Sequence, residues 1–100
     1  MQREIIFHPE SEEEFRDSVL WYKSQQPGLD LEFARCIDEA IQRISRNPEL
    51  YPIVFHSFRK VVVRRFPFLI IYEFDDKQIR ILGVFHSRRN PKLLSKRKYI

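Results

Sequence analysis

One hundred residues give room for one hydrophobic core and not for two. A composition of 43% hydrophobic and 14% aromatic residues, with 2 Gly and 6 Pro, excludes a disordered or fibrous chain, and a single Cys excludes a disulfide framework. The formal charge of +4 hides a polarity: residues 1–50 hold 6 Lys/Arg against 11 Asp/Glu, a balance of −5, whereas residues 51–100 hold 12 against 3, a balance of +9.

In chain order, Arg3 to His8 reads as a short strand with Ile5 and Phe7 on one side, ended by Pro9. Ser11 is placed to cap a helix, with Glu14 completing a capping box and Glu12 and Glu13 favoured by the dipole of the first turn. Phe15, Val19 and Tyr22 recur at i, i+4 and i+7, the core stripe of an amphipathic helix, and Pro27-Gly28 stop it. Asp30 then caps a second helix, whose stripe is Phe33, Ile37, Ala40, Ile41 and Ile44, closed by Asn47-Pro48. So short a link predicts an antiparallel hairpin.

Beyond Pro52 the period changes. Arg59 to Arg65, with three consecutive valines, predicts a strand in which alternation sets Arg59 and Arg65 on one face, opposite Lys60 and Arg64. Phe68 to Phe74 is nearly all apolar and aromatic and predicts a central strand buried on both faces. Asp75-Asp76-Lys77 is a turn of hairpin length, followed by a strand from Gln78 to Phe85. The segment beyond carries Arg88, Arg89, Lys92, Lys96, Arg97 and Lys98 unopposed, with a short helix expected from Pro91. The fold class is α+β over a single domain, 1–100. An N-terminal strand and an antiparallel helical hairpin precede a three-stranded antiparallel meander in one mixed sheet with a basic tail. The longest apolar run, Phe66 to Tyr72, is broken by Pro67 and falls far short of the roughly 20 residues of a membrane span. No stretch of signal-peptide length follows Met1, so the expected location is the cytoplasm.

Few residues carry chemistry of their own. His8, His56, His86 and Cys36 lack the spacing of metal ligands, and no glycine-rich phosphate loop exists, so no metal or cofactor is expected. Trp21 falls off the first helix's core stripe and is a candidate partner contact. The basic C-terminal half is suited to a polyanion or an acidic protein.

Three stretches together resemble a known family: Gln25-Gln26-Pro27-Gly28-Leu29 leading to Phe33; Asn47-Pro48-Glu49-Leu50-Tyr51-Pro52; and Arg64 to Tyr72, followed by Val84-Phe85-His86-Ser87-Arg88-Arg89-Asn90-Pro91. In this order they are similar to the RelE/ParE superfamily of toxins from type II toxin–antitoxin, or plasmid-stabilisation, modules. The resemblance implies a growth-arresting toxin neutralised by a cognate antitoxin that is acidic and partly disordered when free. It also leaves two outputs open, since fold does not fix chemistry. ParE-like members bind DNA gyrase and trap it on cleaved DNA, and the Val84 to Pro91 run looks more like these. RelE-like members cleave messenger RNA on the ribosome without metal, by attack of a 2′-hydroxyl on phosphate. In that case Arg59, Arg65, His86 and Arg88 are the catalytic candidates, and Tyr99 is a second proton donor beside His86. Lys60, Arg64, Arg89 and Lys92 are the candidates for target or nucleic-acid binding, and Trp21, Arg64 and Arg89 for antitoxin binding. An inactive member that only binds antitoxin is the remaining reading.

Overall fold

A computed structural model describes residues 2–89. The chain runs β1 (Glu4–Phe7), α1 (Pro9–Gln25), α2 (Leu29–Arg46), β2 (Ile53–Phe55), β3 (Phe58–Val62), β4 (Phe68–Phe74) and β5 (Gln78–His86). The five strands form one sheet in the order β1-β5-β4-β3-β2. β1 lies parallel to β5, and every other pair is antiparallel. The α+β architecture expected from the sequence is therefore present, and β2 lengthens the meander from three strands to four. The predicted helix from Pro91 and the residues Lys92 and Tyr99 lie outside the described residues.

Two helix starts differ from the sequence expectation, each for a local reason. α1 begins at Pro9, whose missing N–H suits the first helical position. Its cap is His8, whose Nδ1 accepts the Glu10 N–H at 3.1 Å. Ser11 is thus inside the helix and fully buried. Its hydroxyl sits 2.7 Å from the His8 carbonyl and 2.9 Å from that of Ile81, and so ties α1 to β5. Glu14 makes no capping box; it accepts the Val84 N–H at 3.2 Å instead. At α2 the cap is Gly28, not Asp30, with a φ of +92°. A Cβ there would meet nothing within 4 Å, so glycine is required by the backbone conformation and not by space.

The α2 stripe of Phe33, Ile37, Ala40, Ile41 and Ile44 is buried as predicted, against Ile70, Tyr72, Ile79, Ile81 and Val84 of the sheet. Phe33 sits at the centre of an aromatic cluster, with ring centroids 4.8 Å from Tyr22, 4.8 Å from Phe68 and 5.3 Å from Phe66. Burial raises the Tyr22 phenol above its ordinary value. On the other face of the sheet Phe58, Ile71, Leu82 and Phe85 make a second apolar cluster with Val54 and Phe55. β4 contributes to both, which explains why all of it but Glu73 is apolar or aromatic. A register shift between Ile71 and Tyr72 accommodates Leu82 and Gly83 against a single step of β4. The Tyr72 hydroxyl donates to the Pro48 carbonyl at 2.6 Å and so fastens the end of α2 to the sheet.

β3 is shorter than predicted. The Val63 N–H bonds the Phe68 carbonyl at 2.9 Å, which closes a loop over residues 63–67, and Arg65 within it has a φ of +71°. Alternation therefore stops at Val62, and the expected pairing of Arg59 with Arg65 on one strand face is not formed.

Candidate partner-binding surface

The sheet has two ends, and the candidate cations divide between them. One end holds the β2–β3 and β4–β5 turns and the start of β1; the other holds the 63–67 loop, the end of β5 and the C-terminal half of α1. Arg59 pairs with Tyr72 in register and His86 pairs with Phe68. Four residues of β4 separate those positions, about 13 Å at the rise of a strand. Arg59 and His86 thus stand at opposite ends.

At the turn end every arginine is committed. Arg59 donates through Nη1 to the Glu49 and Tyr51 carbonyls, at 3.0 and 2.7 Å. Its guanidinium lies 5.6 Å from the centre of the Phe74 ring, which Arg3 approaches to 5.2 Å. Arg3 also donates to the Asp75 carbonyl at 2.7 Å. Arg80, with 9% of its side chain exposed, bonds Glu73 at 3.3 Å and Asp75 at 2.9 Å, and Glu73 in turn accepts the Ser57 hydroxyl at 3.0 Å. Burial works against the Arg80 charge, but the hydrogen bonds it donates to Asp75 and Glu73 outweigh it and raise the pKa. Asp75 is lowered to about 2, first by the Lys77 N–H, then by the Gln78 N–H and by Arg80.

The loop end is open. Trp21 is 57% exposed and, with Tyr22, Pro67 and Phe68, lines a mostly apolar groove of about 580 Å³ rimmed by Asp17 and His86. The His86 Nδ1 accepts the Arg88 N–H at 3.1 Å, so only its Nε2 is left for a ligand. Arg88 is exposed, with no side-chain partner among the described residues. Arg89 bonds Glu14 at 3.2 Å and covers the Phe85 ring at 5.3 Å. Arg64 reaches Glu39 at 3.5 Å and Arg65 reaches Glu32 at 3.0 Å. Lys60 lies half-buried in β3 opposite Ile71, away from this end.

Sequence reasoning missed the acids. Glu14, Glu32 and Glu39 reach from the helices to Arg89, Arg65 and Arg64, so part of the charge split closes within the molecule. The signal for them was a second α2 stripe, Glu32, Cys36, Glu39 and Arg43 at i, i+4, i+7 and i+11, beside the core stripe. Of the 18 basic residues, Lys92, Lys96, Arg97 and Lys98 lie in 90–100, which holds no acid; that leaves 14 against 14 in the rest. The whole net charge is therefore carried by the last eleven positions.

Among the described residues no cluster of His, Cys, Asp and Glu is arranged to hold a metal ion, and no helix is long and apolar enough to cross a membrane. A helical hairpin on a mixed five-stranded sheet, with an exposed tryptophan over an apolar groove and exposed arginines nearby, defines a small α+β domain whose loop end is built for contact with a partner.

Comparison with known proteins makes the class specific. Residues 5–91 match the family described as ParE toxin of type II toxin-antitoxin system, parDE. "Toxin ParE2" of Mycobacterium tuberculosis, found in two strains, is 26% identical over 92 residues, covering 91% of this chain and 88% of the relative. The solved structure titled "Chromosomal ParDE TA system from P. aeruginosa" has the same fold. Its TM-score is 0.74 at 16% identity, over 85% of this chain and 96% of that one. The chain belongs to the ParE toxin family and is the toxin component of a type II toxin–antitoxin system.

Proposed function

We propose that this toxin, acting in the cytoplasm as one unit over residues 1–100, arrests growth as ParE-like toxins do, by binding DNA gyrase and holding it on cleaved DNA. A cognate antitoxin, acidic and partly disordered when free, neutralises it. The observation that carries the reading is the separation of Arg59 from the other three catalytic candidates. Arg59 is held by two backbone carbonyls at one end of the sheet, its strand position about 13 Å from that of His86 at the other, and so stands apart from Arg65, His86 and Arg88, which share the loop end. Beside those three the loop end offers a binding surface: Trp21 for an apolar anchor, Arg64 and Arg89 for an acidic one. The same reading assigns target contacts to Lys60, Arg64, Arg89 and Lys92.

The test is direct. Purified toxin added to gyrase and supercoiled plasmid is expected to yield linear DNA once the protein is denatured and digested. Undisturbed supercoiling would overturn the gyrase reading. Cuts inside codons in primer extension on messenger RNA would replace it with the RelE-like one.

A further inference from the structure

The cleft between α2 and the 63–67 loop, about 230 Å³, holds Arg35, Arg64 and Arg65 against Glu32 and Glu39, with Cys36 in its lining. Its charges do not pair off. Glu39 is already bonded at 2.9 Å by Arg43, one helical turn along, whose side chain is 16% exposed. Arg64 reaches the same Oε2 only at 3.5 Å, with its side chain 67% exposed. The other oxygen, Glu39 Oε1, is buried without any hydrogen-bond partner. Arg35 is exposed and has no ion pair among the described residues. Only Arg65 and Glu32 match one to one, and Arg65 does so from a left-handed φ of +71° that side-chain-bearing residues rarely adopt.

Exposed ion pairs of this kind contribute little, so replacing one carboxylate by another is nearly neutral. Arg80 cannot be released in the same way, because both it and Glu73 are more than nine-tenths buried. The Glu39 Oε1 is buried without a partner, so an occupant that displaces Arg64 and brings a hydrogen-bond donor as well as negative charge would satisfy it too. A peptide offers backbone N–H groups beside its carboxylates, whereas a phosphodiester backbone offers acceptors alone.

The geometry points to this cleft as the docking site for a carboxylate-bearing peptide segment of a protein partner, bound by ion-pair exchange. The segment's carboxylates take Arg65 from Glu32 and Arg64 from Glu39, and Arg35 gives a third contact. Its N–H groups satisfy the carboxylate left behind. That the partner is the antitoxin rests on the toxin reading above; the exchange rests on the cleft.

A short fluorescein-labelled peptide rich in Glu and Leu, titrated by anisotropy into the full chain near physiological salt, tests the exchange. Glu32→Gln removes the internal competitor and is expected to tighten binding roughly two- to fivefold, the range of an exposed pair. Arg65→Gln is expected to weaken it by a similar factor or more, and Glu32→Gln is expected to add nothing in that background. Asp38→Asn removes one exposed α2 acid without freeing an arginine, and is expected to change the affinity less than twofold. Equal effects of Glu32→Gln and Asp38→Asn would overturn the exchange in favour of plain charge. So would weaker binding after Glu32→Gln, or a gain for oligothymidylate with none for the peptide. Growth arrest on expression is scored separately. Arrest without the Glu32→Gln effect removes the cleft and keeps the toxin; the Glu32→Gln effect without arrest does the reverse.

Discussion

The two ends of the sheet use the same side chain in opposite ways. At the turn end Arg3, Arg59 and Arg80 are spent on carbonyls, a ring face and the buried Glu73 carboxylate, and they hold the strand termini in register. At the loop end Arg64 and Arg65 are about two-thirds exposed and Arg88 is exposed, and their carboxylate partners, where they have them, are replaceable. The difference is burial and not charge. An ion pair closed off from water is expensive to break, while an exposed one is screened and offset by side-chain entropy. A count of basic residues cannot distinguish the two, and an interface can be built only from the second kind.

The sharpest way to break the comparison is to remove one arginine from each end. Arg80→Ala leaves Glu73, 8% exposed, without its cationic partner and is expected to lower the unfolding free energy by about 3 kcal/mol. Arg65→Ala, 68% exposed, is expected to change it by less than about 0.5 kcal/mol. Urea titration of both variants measures the contrast, and comparable losses would erase it.

Next in size is Tyr72→Phe, which leaves the Pro48 carbonyl buried without its donor, at about 1–2 kcal/mol. Burial raises the Tyr72 pKa, so the unfolded chain loses this proton first. The stability it contributes is complete below the unfolded phenol's value near 10 and declines as pH climbs beyond it. Tyr72→Phe is expected to flatten that alkaline decline in thermal melts.

The smallest effect belongs to Asp75. Its folded pKa of about 2 lies below the ordinary carboxyl value of 3.8, so its contribution is present above that value and disappears as pH falls toward 2. Asp75→Asn is expected to remove that acid-side slope from the melting temperature and leave neutral-pH peptide binding at the loop end unaltered.

The fold was legible wherever one period ran long enough. The α2 stripe from Phe33 to Ile44 and the apolar β4 read correctly, because each is dictated by burial. β2 did not: Ile53-Val54-Phe55 is too short to show alternation, and only pairing with Arg59 and Phe58 across the His56-Ser57 turn makes it a strand. Cap positions failed where a less common capper stood nearby. Ser11 and Asp30 have the usual chemistry, yet Pro9 and the left-handed Gly28 set the helix starts. The site was half legible. Trp21 stands out in the sequence because it departs from its helix's stripe, and the structure places it in the lining of the groove. Arg59 and His86 fell into one candidate set because residue type alone drew them together; their separation comes from strand pairing far apart in sequence. The charge polarity was read correctly but taken as facing outward, and Glu14, Glu32 and Glu39 absorb part of it.

The claim that recognition resides at the loop end is tested most directly by a triple variant, Trp21→Ala, Arg64→Ala and Arg65→Ala, coexpressed with the cognate antitoxin. The account predicts a melting temperature within a few degrees of the wild-type toxin and a cell whose growth the antitoxin no longer rescues, or a toxin that no longer arrests growth at all. A triple variant that still arrests growth and is still fully rescued would contradict it.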